Sequence, residues 1–574
     1  MCSIPAWLKE VVQKWEAGIA HVFILYGNVD DLVEPGKYVK DILLSTGLIA
    51  KRSIVISYNR SKGITFPIPA HKDKFLEMLN MKQAASGALA ALQQARGQAA
   101  QDDVQLPAAP GQALPLIERT LAAADESGPV TALIVENAET ICPNTDIAVM
   151  SPDDRNILVT VTRWAREKEF ISAGPPVFLL VENISELHMN LRRASSRIEA
   201  VKVPYPDREE RLEFIKKLAA ARGWQVDEER LAAKTAGLKR VHIEDIFLRA
   251  DLSDVPVNDE LVKERKNEII RSEFADVLEI IEPTVGFNDI GGMDYIKQYF
   301  LKNIIQPMKE NRTAYVPMGA LLLGPAGTGK TVLAKAVAKE SGMNCCSFNV
   351  GKLLGSYVGT SEKNLERTLE CIQAMAPTIV IMDELDQSGL SRSGSGDSGV
   401  SNRILQRLLE FMSDDSRRGK IVFMGISNRS DLIDAALKRP GRFDKKIPVL
   451  APDNVERESI LKVLLKKYNP ENWVKDINTV VEATEGWTGA ELEALVLKAC
   501  EVAEGQTLAD GHMAAALDRY FPTTQDIERM TALAVAECND ADLLPPRYRT
   551  VLKERSKAAD ADSDVDYTRK RRAV

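Results

Sequence analysis

Residues 324–331 read Gly-Pro-Ala-Gly-Thr-Gly-Lys-Thr, an apolar run (320–323) leads into them, and 332–340 has the composition of a helix. Strand, Gly-rich loop and helix in that order let backbone N–H groups approach phosphate oxygens at a helix N-terminus. Gly324, Pro325, Ala326, Gly327, Thr328 and Gly329 are expected to cradle the phosphates, Lys330 to reach the β and γ groups, and Thr331 to offer its hydroxyl to Mg2+. Downstream, 379–386 reads Ile-Val-Ile-Met-Asp-Glu-Leu-Asp. At that strand end Asp383 would hold Mg2+, directly or through water, and Glu384 would orient and deprotonate an attacking water. Asn428, closing the apolar stretch 421–428, would sit on the adjacent strand and bind that water or the γ-phosphate. These residue types at these spacings call for ATP and Mg2+.

The elements that must position them occur twice. The stretch 132–139, Ala-Leu-Ile-Val-Glu-Asn-Ala-Glu, has the shape of 379–386 with its carboxylates rearranged, and 191–207 aligns without a gap with 437–453. Both copies then run into helical segments through a Thr-x-Gly, at 235–237 and 484–486. Strands alternating with amphipathic helices predict an α/β fold, here two tandem P-loop NTPase modules, each a parallel sheet between helices with a small helical lid. The boundaries expected are an N-terminal helix (1–20), a first core (21–206) with an Ala/Gln/Pro-rich insertion (82–112), its lid (207–255), a charged linker helix (256–285), a second core (286–450), its lid (451–545) and a charged tail (546–574) expected to be disordered.

The first copy lacks the chemistry. Its nearest P-loop lookalike, 34–38, would need glycine at 31 and serine or threonine at 38 where the chain has Asp31 and Tyr38, and Asn137 cannot act as a base. Asp30 and Asp31 also oppose a triphosphate by like-charge repulsion. The first copy is therefore expected to serve assembly or partner recognition, without hydrolysing or binding ATP.

At 574 residues the chain has room for several domains, and 45% hydrophobic with 27% charged residues is a globular balance. A net charge of -8 argues against a general nucleic-acid footprint. The seven cysteines show no metal spacing, no H-E-x-x-H motif occurs, and no apolar run approaches the roughly 20 residues of a membrane span. A cytoplasmic ATPase without a membrane span or fused metalloprotease is expected.

Residues 286–545 resemble the AAA module of the AAA+ ATPases, the type found in valosin-containing protein, proteasomal ATPases and the FtsH protease. The resemblance rests on the P-loop, on Phe-Asn-Asp-Ile-Gly-Gly (287–292), on 355–362 and on 427–444. The tandem arrangement is also similar to a group of bacterial and plastid AAA proteins with a degenerate first module. The resemblance implies that Asp289, Ile290 and Gly291 wrap the adenine and that Gly489-Ala490 take the lid position held by an arginine sensor elsewhere. It further implies that Arg442 is an arginine finger supplied in trans within a homo-hexamer, with Lys445 where members commonly carry a second arginine. Tyr357 and Val358 match a pore loop that grips an extended polypeptide, and 391–399 falls where a second pore loop lies. The function so implied is ATP-driven remodelling or threading of a protein substrate; the alternative is an ATP-switched assembly scaffold.

Overall fold

The computed structural model describes residues 5–79, 106–125, 128–193, 197–252, 256–274, 277–310, 312–354, 360–387, 398–522 and 526–549. Two compact units divide the chain, Met1–Val262 and Lys263–Val574.

In the first unit, helix α1 (Ala6–Glu16) precedes β1 (Val22–Gly27), β2 (Ile54–Asn59), β3 (Gly63–Thr65), β4 (Thr131–Val135), β5 (Val177–Val181) and β6 (Ile198–Val203). They form one sheet in the order β6-β1-β5-β4-β2-β3, parallel except for β3. Helices α2 (Arg208–Arg222) and α3 (Arg240–Leu252) follow. Alternate residues of β1 serve opposite faces: Val22 and Ile24 enter one apolar core, Phe23 and Leu25 the other. Coverage on both faces explains why β4 and β5 are apolar and buried throughout.

Helix α4 (Asp259–Phe274) carries the division between the units. The charged linker helix is expected to run to 285 but stops at Phe274. Instead β7 (Leu278–Ile280) pairs antiparallel with the edge strand of the second sheet, because Leu278 is fully buried against that core. The second sheet contains β7, β8 (Gly319–Leu323), β9 (Asn344–Phe348), β10 (Thr378–Met382), β11 (Ile421–Ser427) and β12 (Lys445–Pro448), in the order β7-β9-β10-β11-β8-β12. Helices α5 (Lys330–Ser341), α6 (Ser398–Met412), α7 (Asn454–Tyr468), α8 (Gly489–Val502) and α9 (Ile527–Glu537) complete the parts used below. Five strands of each sheet follow one plan, β6-β1-β5-β4-β2 and β12-β8-β11-β10-β9.

The repeat extends into the lids. Asp207 and Asp453 each cap the helix that follows, paired with Glu210 and Glu456 in capping boxes. Arg211 and Arg457 are both buried, and each ties that helix to carbonyls before and after it: Pro206 and Ala232 for one, Pro452 and Val481 for the other. The second lid is shorter than the expected 451–545. Its apolar cluster ends at Tyr520, whereas Ala534, Val535, Cys538, Leu543 and Leu544 join the core of the sheet. The apolar spacing of α9 fits either partner, so composition alone did not reveal the return.

Six cysteines among the described residues are free thiols, five of them buried. No described helix is long and apolar enough to cross a membrane.

Candidate functional site: a phosphate loop under a helical lid

The phosphate loop leaves the end of β8 with Gly324, Gly327 and Gly329 all at positive φ, and α5 starts at Lys330. At Gly324 a side chain is impossible, since a Cβ would lie 2.0 Å from the Val449 carbonyl oxygen. Lys330 is buried (5% exposed), and its ammonium donates to the carbonyls of Gly324 at 3.0 Å and Pro325 at 2.6 Å. Burial lowers its pKa to about 8, only partly opposed by Asp383 and Asp386. Thr328 Oγ1 bonds the Pro325 carbonyl at 3.0 Å and stiffens the loop.

Across the crevice, the Thr331 hydroxyl donates to Asp383 Oδ2 at 2.9 Å. A hydroxyl and a carboxylate brought together at a helix N-terminus suit a hard divalent cation that also takes phosphate oxygens. Asp383 Oδ1 accepts from the Glu384 N–H at 2.9 Å, and Glu384 is exposed with φ 51°, a left-handed conformation costly for glutamate. Parallel pairing of β8 with β11 sets Leu323 beside Ser427, so Asn428 follows at the mouth of the loop. The lid closes directly on the loop: the Ala490 N–H donates to the Gly327 carbonyl at 3.0 Å, and a Cβ on Gly327 would lie 2.9 Å from Thr488 Oγ1. The strap carrying Asp289, Ile290 and Gly291 lies between loop and lid. A Cβ on Gly291 would come within 2.4 Å of the Ile460 backbone, and Met293 Cε lies 3.2 Å from where one would stand on Gly329. The Gly286 N–H fixes the Asp289 carboxylate at 2.7 Å and holds its pKa down.

Arg442 lies elsewhere. Its carbonyl adjoins Gly319 at the start of β8, about 16 Å along the strand from the phosphate loop. Its guanidinium donates to the Ala436 carbonyl at 2.6 Å and the Ser413 hydroxyl at 2.9 Å. Lys445 is engaged by Asp540 at 2.8 Å, a partner from the segment after α9 that sequence gave no means of finding. Tyr357 and Val358 fall outside the described residues, as does most of 391–399.

The first unit keeps the frame and alters the contacts that would hold phosphate and metal. A Cβ on Gly27 would lie 2.7 Å from the Val203 carbonyl, the geometry of Gly324 and Val449 again. Asn137 has φ 52°, matching Glu384. Glu136, at the place of Asp383, is taken by Lys40 and Ser57, both at 2.5 Å. Burial would raise its pKa, but those two donors outweigh burial and hold it below the usual range. A cavity of about 320 Å³ remains there, lined by Asp30, Asp41, Glu136 and Glu182 with Lys40 as the one cation among its lining residues, a poor lining for a triphosphate. Asp31 does not face it. It is 1% exposed and accepts the N–H groups of Arg240 and Val241 at 3.0 and 2.9 Å, at the N-terminus of α3. Val241 there corresponds to Ala490 on the phosphate loop.

These features define a P-loop NTPase core with one intact phosphate site and a second core built to the same plan. Residues 320–450 match the family model "ATPase family associated with various cellular activities (AAA)"; residues 2–204 match "AAA+ chaperone, N-terminal Rossmann-like domain" and 209–275 "AAA+ chaperone, second helical domain". The chain belongs to the AAA+ ATPases, in the AAA clade. It is 37% identical to Protein SAV of Sulfolobus acidocaldarius over 45% of this chain and 35% of that protein. It is 32% identical to the cell division cycle protein 48 homolog of Archaeoglobus fulgidus (56% and 48%) and 35% identical to the ATP-dependent zinc metalloprotease FtsH of Pelobacter propionicus (39% and 37%). The chain thus spans a third to a half of the length of these relatives.

Proposed function

We propose that each subunit hydrolyses ATP at one site, in the second unit, and that subunits act as a homo-hexameric ring that remodels protein substrates. The observation that carries the reading is the arrangement of Lys330, Thr331 and Asp383: a buried ammonium resting on two carbonyls beside a hydroxyl–carboxylate pair, all at one helix N-terminus. Lys330 exchanges those carbonyls for phosphate oxygens as ATP enters. Thr331 and Asp383 would hold Mg2+, which supplies charge neutralisation of the phosphates. Glu384 accepts a proton from the attacking water, whose oxygen bonds to the γ-phosphorus as the bond to the β–γ bridging oxygen breaks, leaving ADP and phosphate. Asn428 orients that water. Gly489 and Ala490 let the lid settle on the nucleotide, and Asp289, Ile290 and Gly291 flank the base.

The location of Arg442 supports service in trans, since its own phosphate loop is at the far end of β8. An arginine supplied in this way is worth about 10³ to 10⁵ in rate in related NTPases. Glu384→Gln is expected to bind ATP without turnover, and Arg442→Ala to be nearly inactive alone. Mixing the two should restore turnover at interfaces that combine an intact Glu384 with an intact Arg442. Co-assembly without any recovery would sink the trans assignment. The first unit is assigned a role in assembly or partner recognition, supported by its Lys40–Glu136 pair. Tyr357 and Val358 are assigned to substrate grip on resemblance. Tyr357→Ala should keep basal ATPase and lose remodelling, whereas unimpaired remodelling would favour the switched scaffold.

A further inference from the structure

The acidic run at the end of β10 extends past Glu384. Asp386 Oδ1 accepts a hydrogen bond from the Ser427 hydroxyl at 2.6 Å, and the same hydroxyl oxygen accepts the Arg429 N–H at 3.0 Å. Ser427 is 2% exposed, and the Leu385 N–H donates to the Ile426 carbonyl at 3.1 Å, so the two strand ends are also joined through the backbone. Arg429 is held in turn by two bonds to Asp431, at 2.9 and 2.7 Å. Asn428 lies between these anchored neighbours. Among the described residues its own side chain makes no hydrogen bond, so its aim is set by the backbone on either side.

The first unit provides a comparison within the same chain. Pairing of β1 with β5 sets Tyr26 beside Val181, as Leu323 lies beside Ser427, so Glu182 takes the place of Asn428 and Val181 that of Ser427. Glu139 takes the place of Asp386. With valine at 181 there is no hydroxyl to donate, and Glu139 Oε2 is buried without a hydrogen-bond partner. The acid persists where the water-orienting asparagine is gone, and the hydroxyl that would link the two is gone with it.

We propose that Asp386 is a positioning residue for hydrolysis: through Ser427 it fixes the backbone that aims Asn428 at the attacking water. The proposal rests on the reading of the second unit as the hydrolysing site. A displacement of the amide of about 1 Å is enough to cost up to a hundredfold in rate without weakening nucleotide binding. The test measures steady-state ATP hydrolysis by the full-length protein with Mg2+, together with equilibrium binding of a fluorescent ATP analogue. Asp386→Ala and Ser427→Ala should each lower kcat by about tenfold to a hundredfold, with KM and analogue Kd within about threefold of the unaltered protein. The double variant should lose no more than the worse single one, because both remove one link. Asp386→Asn, whose amide oxygen can still accept from Ser427, should recover most of kcat. Unchanged kcat in Ser427→Ala, a parallel loss of binding, or additive losses would each overturn the assignment. Ser427→Ala removes one oxygen only and keeps the test open where Asp386→Ala fails to fold. Absence of turnover in the unaltered protein would instead remove the hydrolysis reading itself, and the positioning role with it.

Discussion

Glu384 and Asn137 share one backbone conformation, φ 51° and 52°, at equivalent strand ends. Asparagine tolerates the left-handed region, while glutamate is held there at a cost of about 1 kcal/mol or more. The strain persists only in the unit with an intact phosphate loop. Glu384→Asn should therefore raise the unfolding midpoint of the second unit while abolishing ATP turnover; a lower midpoint would show the strain to be unimportant. Lys330 makes a second prediction. Burial depresses its pKa in the free protein to about 8, below the ordinary 10.5, and a bound phosphate would favour the charged form. ATP binding should therefore take up a proton above pH 8, and affinity should fall by up to about tenfold per pH unit beyond it. Calorimetry in buffers of different ionisation enthalpy checks this, and zero uptake at pH 9 would refute it. The phosphate loop was legible in the sequence because phosphate chemistry dictates residue types at fixed spacing. The Asp386–Ser427 link was not, because a serine before an asparagine carries no signal until strand register brings it to an acid.

At the scale of elements, α9 and the segment after it behave as part of the ATPase core. Leu543 and Leu544 are fully buried against the sheet, whereas the Lys445–Asp540 pair beside them is part-exposed. Leu543→Ala should cost about 2–5 kcal/mol in chemical denaturation. Asp540→Ala should cost about 1 kcal/mol or less. Similar losses in the two variants would mean that the charged pair, not the apolar seat, fastens this segment. The extent of the lid is not legible for a physical reason: amphipathic spacing shows that a helix has a buried face, not which body it is buried against. The repeat from Leu191 to Asp207 was legible because strand and capping aspartate recur in order, and the register of Gly27 with Val203 reproduces that alignment.

For the whole molecule, both units keep the strand plan, the glycine at the end of the first central strand and the lid-helix cap, while the Gly-rich loop with its lysine and threonine is present in one. Addition of a slowly hydrolysed ATP analogue should slow amide exchange at residues 324–331 and 486–491 and leave 28–32 and 237–242 unchanged. Protection in the first unit would overturn the assignment of a single nucleotide site.

Asp31 gives that asymmetry a further meaning. A nucleotide that bridges core and lid is a visitor, present in proportion to its concentration and gone when it dissociates. A carboxylate on the same chain, seated on the α3 N-terminus, is a tethered ligand whose effective concentration is set by the fold of the unit and cannot be diluted. With a single nucleotide site as proposed, this carboxylate would keep the core and lid of the first unit joined at any ATP/ADP ratio. Asp31→Ala should uncover the Arg240 and Val241 amides to exchange and destabilise α3 by about 0.5–2 kcal/mol, the usual range for a lost helix cap. One half of the chain would then follow nucleotide turnover, while the other keeps a core-to-lid contact that turnover does not reach.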